Sequence, residues 1–360
     1  MSNELLFYCN VPLLYGSDPI FKDIPGFNNY KEFAKLFDVN VSLCDRTNTI
    51  KFPFNTKVTP IPTFEKDFKL SYRDCASASM TALDTIHQQT GKKFRLMYSG
   101  GADSSGIFSA FVDYYGLDKT KDLLEICCSK ESITENPWLW DRYIRKHNFD
   151  IVSAHDHGTQ WHDNKIIVMG EINDQLFGKR SDYAYYAGNK TISDRITRED
   201  IKKYLNQKSV NNDQLVNILV DLLNAAPFPI KNMFTFLWWI NFALTWEGIN
   251  NRVLSHASTL PADIMQSGLV QFYNTSNFQK WSMQYHYEYD ISQPPIFKVP
   301  CKDMTIEILD IPEYKNKHKF LSFPKLHAVR PSALLIDTDL NLYRNNSDYL
   351  KFVQADNGFI

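Results

Sequence analysis

The segment Leu96-Met97-Tyr98-Ser99-Gly100-Gly101-Ala102-Asp103-Ser104-Ser105 constrains this 360-residue chain more than any other. A β-type run, Phe94 to Tyr98, stops at Ser99-Gly100-Gly101. Ile107, Phe111 and Tyr114/Tyr115 then recur about one helical turn apart. A strand that breaks on two glycines and opens a helix with small hydroxylated residues is an anion cradle. Glycine lets the backbone approach a phosphate closely, and the unpaired N–H groups and positive dipole end of the helix attract it. Asp103 is out of place beside phosphate unless a divalent cation such as Mg²⁺ lies between them. A plain capped turn explains Ser-Gly-Gly but gives no reason for Asp103, Ser104 and Ser105 together. The common phosphate loops are absent. Gly91-Lys92-Lys93 lacks the hydroxyl partner of G-x-x-x-x-G-K-[ST], and no G-x-G-x-x-G occurs.

A second strand-like run ends in the same way. Ile166 to Met169 is followed by Gly170-Glu171-Ile172-Asn173-Asp174-Gln175-Leu176-Phe177-Gly178. In a parallel α/β sheet the carboxyl ends of neighbouring strands share one crevice. Glu171 and Asp174 are therefore expected to face whatever the first loop holds.

The string Ser99-Gly100-Gly101-x-Asp103-Ser104 resembles the pyrophosphate loop of the N-type ATP pyrophosphatases. Gly-Glu-x-x-Asp-x-Leu-Phe-Gly at 170–178 is similar to the Gly-Glu-Gly-x-Asp-Glu-Leu-Phe-Gly-Gly-Tyr signature of the synthetase domain of asparagine synthetases. The resemblance covers roughly residues 76 to 320. It implies an adenine nucleotide alpha hydrolase-like fold, ATP and Mg²⁺ as cofactors, and release of AMP and pyrophosphate. By motif position, it assigns nucleotide binding to Ser99, Gly100, Gly101, Asp103, Ser104, Ser105 and Gly170. Asp103 and Asp174 would share Mg²⁺–pyrophosphate, and Glu171 would be the acid/base of the amide-forming half. Ser129, ending a strand expected beside the loop strand, would border the adenine.

An adenylating enzyme also needs a cation where charge develops on the departing pyrophosphate. In the family a lysine follows a Leu-Pro segment late in the domain. The analogue here is Ile311-Pro312 followed by Lys315, Lys317 and Lys319. Lys319 is the expected catalytic cation and Lys317 the next choice, with a solvated basic loop as the alternative reading. Phe272-Tyr273-Asn274 and Phe278 to Trp281 lie where family members place acceptor-side contacts.

This chain departs from the family pattern at several positions. Ile172 replaces a glycine, Gln175 a glutamate, and Lys179-Arg180 a Gly-Tyr pair. A branched side chain at 172 is expected to alter the backbone near the nucleotide or the pocket for the activated carboxylate. Full-length family members begin with a glutaminase domain whose nucleophilic cysteine follows the initiator methionine. Here position 2 is Ser2, and too few residues precede the motifs for such a domain. The expected partners are thus a small-molecule carboxylate and ammonia or an amine. The amine could also come from a separate amidotransferase or amine-supplying protein.

Composition narrows the remaining choices. A net charge of −2 offers no basic field, which argues against a nucleic-acid partner. The six cysteines include no C-x-x-C, and Cys127-Cys128 read as small apolar packing groups in a strand. Free thiols in a reducing compartment fit better than a disulfide framework. With no charged n-region or cleavage site at the N-terminus, the expected location is cytoplasmic. Met233 to Trp246 is too short to cross a bilayer and contains Asn241, so it reads as a buried helix. His155-Asp156-His157 with His162 and Asp163 has some metal-ligand spacing, but a solvated connection near the site mouth is the preferred reading.

Four segments emerge. Residues 1–75 are rich in Asn, Pro and aromatics, with extended stretches at Leu5 to Tyr8 and Lys57 to Pro62. Residues 76–185 form the nucleotide-binding core, with strands expected at 94–98, 122–128, 150–154 and 165–169. Its helices are expected at 76–90, 104–115 and 137–147. Residues 186–325 turn helical (198–206, 213–225, 233–247 and 277–285), and 326–360 form a tail with a strand-like run at 333–336. The expected fold class is α/β: a doubly wound parallel sheet followed by a mainly helical region, with a small N-terminal α+β segment. The expected function is an ATP-dependent carboxylate–amine ligase. The alternatives are an ATP pyrophosphatase that modifies a nucleotide or tRNA, and a degenerate, non-catalytic nucleotide-binding protein.

Overall fold

Two sheets organise the chain among the described residues. Their strands are Leu5–Tyr8 (β1), Lys93–Met97 (β2), Leu124–Cys128 (β3), Ile151–Ser153 (β4), Lys165–Met169 (β5), Leu269–Gln271 (β6), Leu335–Asp337 (β7) and Leu342–Tyr343 (β8). One sheet has the order β4-β3-β2-β5-β6 with every pair parallel. The other is antiparallel, in the order β1-β7-β8. The structure, a computed structural model, describes residues 4–8, 27–36, 43–154, 164–178, 195–255, 260–266, 268–289, 297–317, 334–344 and 348–353.

The parallel sheet follows from the apolar runs. Phe94, Leu96, Leu124, Ile126, Ile166, Ile167 and Val168 are all buried, as expected of central strands covered on both faces. The chain is α/β: strands of this sheet alternate with helices, including Ala102–Tyr115 after β2 and Lys130–Glu135 after β3. The expected strands match β2 to β5 to within one or two residues. β6 was not expected, because three residues carry no readable period. It pairs with β5 so that Gln271 lies opposite Met169.

Strand order fixes where a ligand can sit. From β2 the chain moves outward through β3 and β4, then returns to β5 on the other side of β2. The order reverses between β2 and β5, and the crevice of an open parallel sheet lies at the carboxyl ends of such a pair. Ser99–Ser105 leave β2 and Gly170–Asp174 leave β5, so both motifs open into that crevice.

Helices complete the core. Tyr72–Thr90 begins with a Ser71/Asp74 capping box and ends on Gly91, whose φ of 66° places it in the left-handed region. This helix runs through positions 75 and 76, and β1 pairs with β7, so segments before and after the parallel sheet join one small sheet. The helix Met233–Leu244 buries every residue from Phe234 to Leu244, as the sequence implied for 233–246. It breaks at Thr245, whose hydroxyl reaches Gln175 Oε1 and the Asn241 carbonyl. Among the described residues no helix is long and apolar enough to cross a membrane.

Two local expectations changed. The single helix expected over 137–147 is a short α turn, Pro137–Leu139, continued as a π-helix, Trp140–Arg145. An i→i+5 repeat puts residues five apart on one side, and here it buries both Leu139 and Ile144. The run 57–62 is not a strand. Pro60 and Pro62 cannot donate to a ladder. The segment is held instead by Arg46, which donates to the carbonyls of Thr59 and Pro60, and by Glu247, which accepts from the Thr59 amide.

Candidate active site

The first loop is shaped by its glycines and serines. Gly100 has φ +73°, and a Cβ there would lie 2.2 Å from the Ser132 carbonyl oxygen, so only glycine fits. Ser104 Oγ accepts from the Ser99 amide at 3.1 Å and donates to the Gly101 carbonyl at 3.3 Å, which locks the turn. Asn136 Nδ2 donates to Ser105 Oγ at 3.2 Å beneath it. Gly101 is the N-cap of Ala102–Tyr115 and supplies no side-chain cap. The first-turn amides of Ala102, Asp103 and Ser104 therefore have no intrahelical acceptor and are available to an anion.

The second loop meets the first through Gly170. A Cβ at 170 would fall 3.1 Å from Asp103 Cβ and 3.0 Å from Ile107 Cδ1. Asn173 Nδ2 donates to Asp103 Oδ1 at 2.7 Å, and its own Oδ1 accepts from the Tyr72 hydroxyl at 2.7 Å. The Tyr273 hydroxyl donates to the Asp103 carbonyl at 2.8 Å. Tyr72 and Tyr273 pack with Phe278, so Asp103 stands on a rigid aromatic floor. Ile172 sits at φ −66°, ψ −19°, fully buried. Its backbone is thus ordinary αR, and the branched side chain costs no backbone strain. Gln175 is buried and its Oε1 accepts from the Thr245 hydroxyl, a neutral pair.

Asp103 and Asp174 converge on one cation. Lys298 Nζ lies 2.5 Å from Asp103 Oδ2 and 2.5 Å from Asp174 Oδ1. Burial disfavours the ammonium, but the two carboxylates outweigh this and hold its pKa above the ordinary value. Lys298 has φ 57°, an uncommon conformation for a side chain of this size, and precedes the helix Val299–Leu309. The oxygen pair suits Mg²⁺, which takes one or two carboxylates and completes its shell with phosphate and water. The Asp174 side chain is half exposed, which leaves room for those ligands. Among the described residues no group of three His, Cys, Asp or Glu forms a metal cluster.

Glu171 of the second loop pairs with a different cation. Arg252 Nη2 donates to its Oε1 at 2.8 Å, while its Oε2 is buried with no hydrogen-bond partner among the described residues. The Glu171 charge holds the Arg252 guanidinium above its ordinary pKa. Gln271 Nε2 donates to the Asn250 carbonyl at 3.3 Å, and its Oε1 is likewise buried with no partner among the described residues. Two buried acceptors thus lie at the carboxyl ends of β5 and β6.

The remaining expected residues fall as follows. Ser129 follows β3 as the buried N-cap of Lys130–Glu135, in a capping box with Ser132, whose carbonyl abuts Gly100. Lys319 lies outside the described residues, as do Lys179-Arg180 and the cluster His155 to Asp163. Lys317 accepts through its carbonyl from Lys302 Nζ at 2.8 Å. Burial pushes the Cys127 thiol up to about 12 and the Cys128 thiol to about 11, in keeping with packing rather than nucleophilic roles. Lys298, Arg252 and Gln271 were not anticipated. None sits in a motif, and only tertiary packing brings them to the loops. A cleft of 500 Å³ lined by Arg46, Pro60, Phe64, Pro227 and Trp239 shares no residue with this site.

Comparison of the chain with protein-family models, with curated proteins and with solved structures gives no match.

Proposed function

We propose that this protein is an asparagine synthetase-like, AMP-forming carboxylate–amine ligase, built on a doubly wound, adenine nucleotide alpha hydrolase-like core. The observation that carries this reading is the convergence of Asp103 and Asp174 on one cation position, at the reversal of strand order and beside an uncapped helix start. A cation flanked by two carboxylates and by free amides suits a metal-bound polyphosphate.

In this reading the amides of Ala102, Asp103 and Ser104 bind the β,γ-pyrophosphate, with Ser99, Gly100, Gly101 and Ser105 shaping the cradle. Asp103 and Asp174 would hold Mg²⁺, which would supply charge neutralisation and Lewis acidity at the phosphates. Gly170 lets the second loop close on the first. The substrate carboxylate attacks the α-phosphorus of ATP, forming an acyl-adenylate and releasing pyrophosphate. An amine or ammonia then attacks the acyl carbon, the acyl–phosphate C–O bond breaks to expel AMP, and Glu171 Oε2 takes the proton the nitrogen loses, while Arg252 keeps the other oxygen in place. Ile107 and Tyr273, buried against Gly170, would help keep water from the adenylate. ATP–pyrophosphate exchange with a panel of carboxylates tests this reading.

A further inference from the structure

We propose that Lys298 is an internal counter-cation that keeps free divalent metal out of the Asp103–Asp174 pair, so that the metal enters only together with a phosphate able to receive the ammonium. The second half of this rests on the nucleotide site proposed above; the first half stands on the geometry alone.

Lys298 Nζ already lies where the two carboxylates converge, 2.5 Å from each. A divalent ion bound to the same oxygens at about 2.0–2.6 Å would need that position. The two cations exclude each other unless the lysine moves.

The lysine cannot move freely. Its side chain is nine-tenths buried, and the helix that follows it packs against Ala102–Tyr115, with Cys301 Sγ donating to the Ala102 carbonyl at 3.2 Å. Leaving the pair with no anion to go to would strand a buried charge, the costliest outcome for an ion pair. The left-handed backbone of Lys298 is itself strained, and the twin ion pair offers a reason for that strain to persist.

Charge balance gives the same result. Two carboxylates and one ammonium leave a single negative charge. Adding a divalent ion beside the ammonium crowds three positive charges against two negative ones. A polyphosphate at the adjacent amides removes the conflict, because the ammonium can turn to a phosphate oxygen while the metal takes the carboxylates. Metal and nucleotide would then each raise the affinity of the other by the same factor.

Electron paramagnetic resonance of Mn²⁺ titrated into the full-length protein tests this. Wild type is expected to bind Mn²⁺ weakly alone and about tenfold or more tightly with α,β-methylene-ATP present. Lys298→Met should bind Mn²⁺ without nucleotide about tenfold or more tightly than wild type. Lys298→Arg should stay weak, and the double variant Lys298→Met/Asp103→Asn should return to weak binding, which places the gained ion at the pair. Lys298→Met binding free Mn²⁺ no better than wild type would overturn the role of Lys298. Tight binding of free Mn²⁺ by wild type overturns it without any variant. A protein that takes up no nucleotide analogue contradicts the ligase reading instead, and the comparison in free Mn²⁺ still decides the role of the lysine.

Discussion

Arg252 grips one oxygen of Glu171 at 2.8 Å and leaves the other buried with no partner among the described residues. A carboxylate held in this way is oriented yet has one oxygen ready to receive a proton. Glu171→Gln keeps the shape and removes the base. Amide formation should fall by about 10²–10⁴-fold while pyrophosphate exchange changes far less. Arg252→Met should weaken amide formation by a smaller factor, since it loosens the geometry and spares the carboxylate. Both follow from comparing exchange with acyl transfer to an added amine, using a carboxylate that supports exchange. Equal losses in the two half-reactions would remove Glu171 from the second step.

Gly100 and Gly101 are adjacent but have different tolerances. At Gly100 a Cβ would strike the Ser132 carbonyl at 2.2 Å, on a backbone with φ +73°. At Gly101, with φ −72°, the nearest atom is Ser99 Oγ at 3.4 Å. Gly100→Ala should therefore cost more than about 2 kcal/mol in urea unfolding and weaken ATP binding. Gly101→Ala should stay within about 0.5 kcal/mol of wild type. Similar losses for the two variants would argue against this loop conformation.

His286 gives the protein an acid-sensitive anchor. Its ring stacks on Trp238 at 4.1 Å, and Nε2 lies 3.2 Å from the Leu176 carbonyl beneath the second loop. Nδ1 is buried with no partner among the described residues, so the ring is neutral with its proton on Nε2. Burial pulls its pKa down to about 3, against a slight opposing effect of the Leu176 bond. Between pH 3 and about 6.5 the unfolded chain binds a proton that the folded protein refuses. Stability should fall as the pH drops through this window, by about 2 kcal/mol between pH 7 and 5. Urea midpoints at the two pH values measure this, and His286→Gln should flatten the difference. An unchanged slope in the variant would assign the acid sensitivity elsewhere.

Both loops were legible in the sequence because their chemistry is local. Ser99–Ser105 and Gly170–Asp174 each pair a strand end with glycine and a carboxylate, and sheet logic places the two pairs together. Asn173 stood inside the second motif, yet nothing local marked it as the amide that steadies Asp103. Lys298 and Arg252 lie far along the chain, before one helix and after another, and only the packing of those helices delivers them. β6 is too short to leave a period, and the π-helix at Trp140–Arg145 depends on which side of the helix the core demands. Ile172 was expected to alter the backbone near the nucleotide or the pocket for the activated carboxylate; its αR backbone answers the first of these.

Exchange of labelled pyrophosphate into ATP, run with Mg²⁺ against carboxylates beginning with aspartate and extending to nucleotide and peptide acids, tests the AMP-forming site most directly. Label should enter ATP with one class of carboxylate, with AMP as the nucleotide product, and Asp103→Ala and Asp174→Ala should each abolish it. Exchange at the wild-type rate in Asp103→Ala, or formation of ADP in place of AMP, would contradict a pyrophosphate-binding role for the pair.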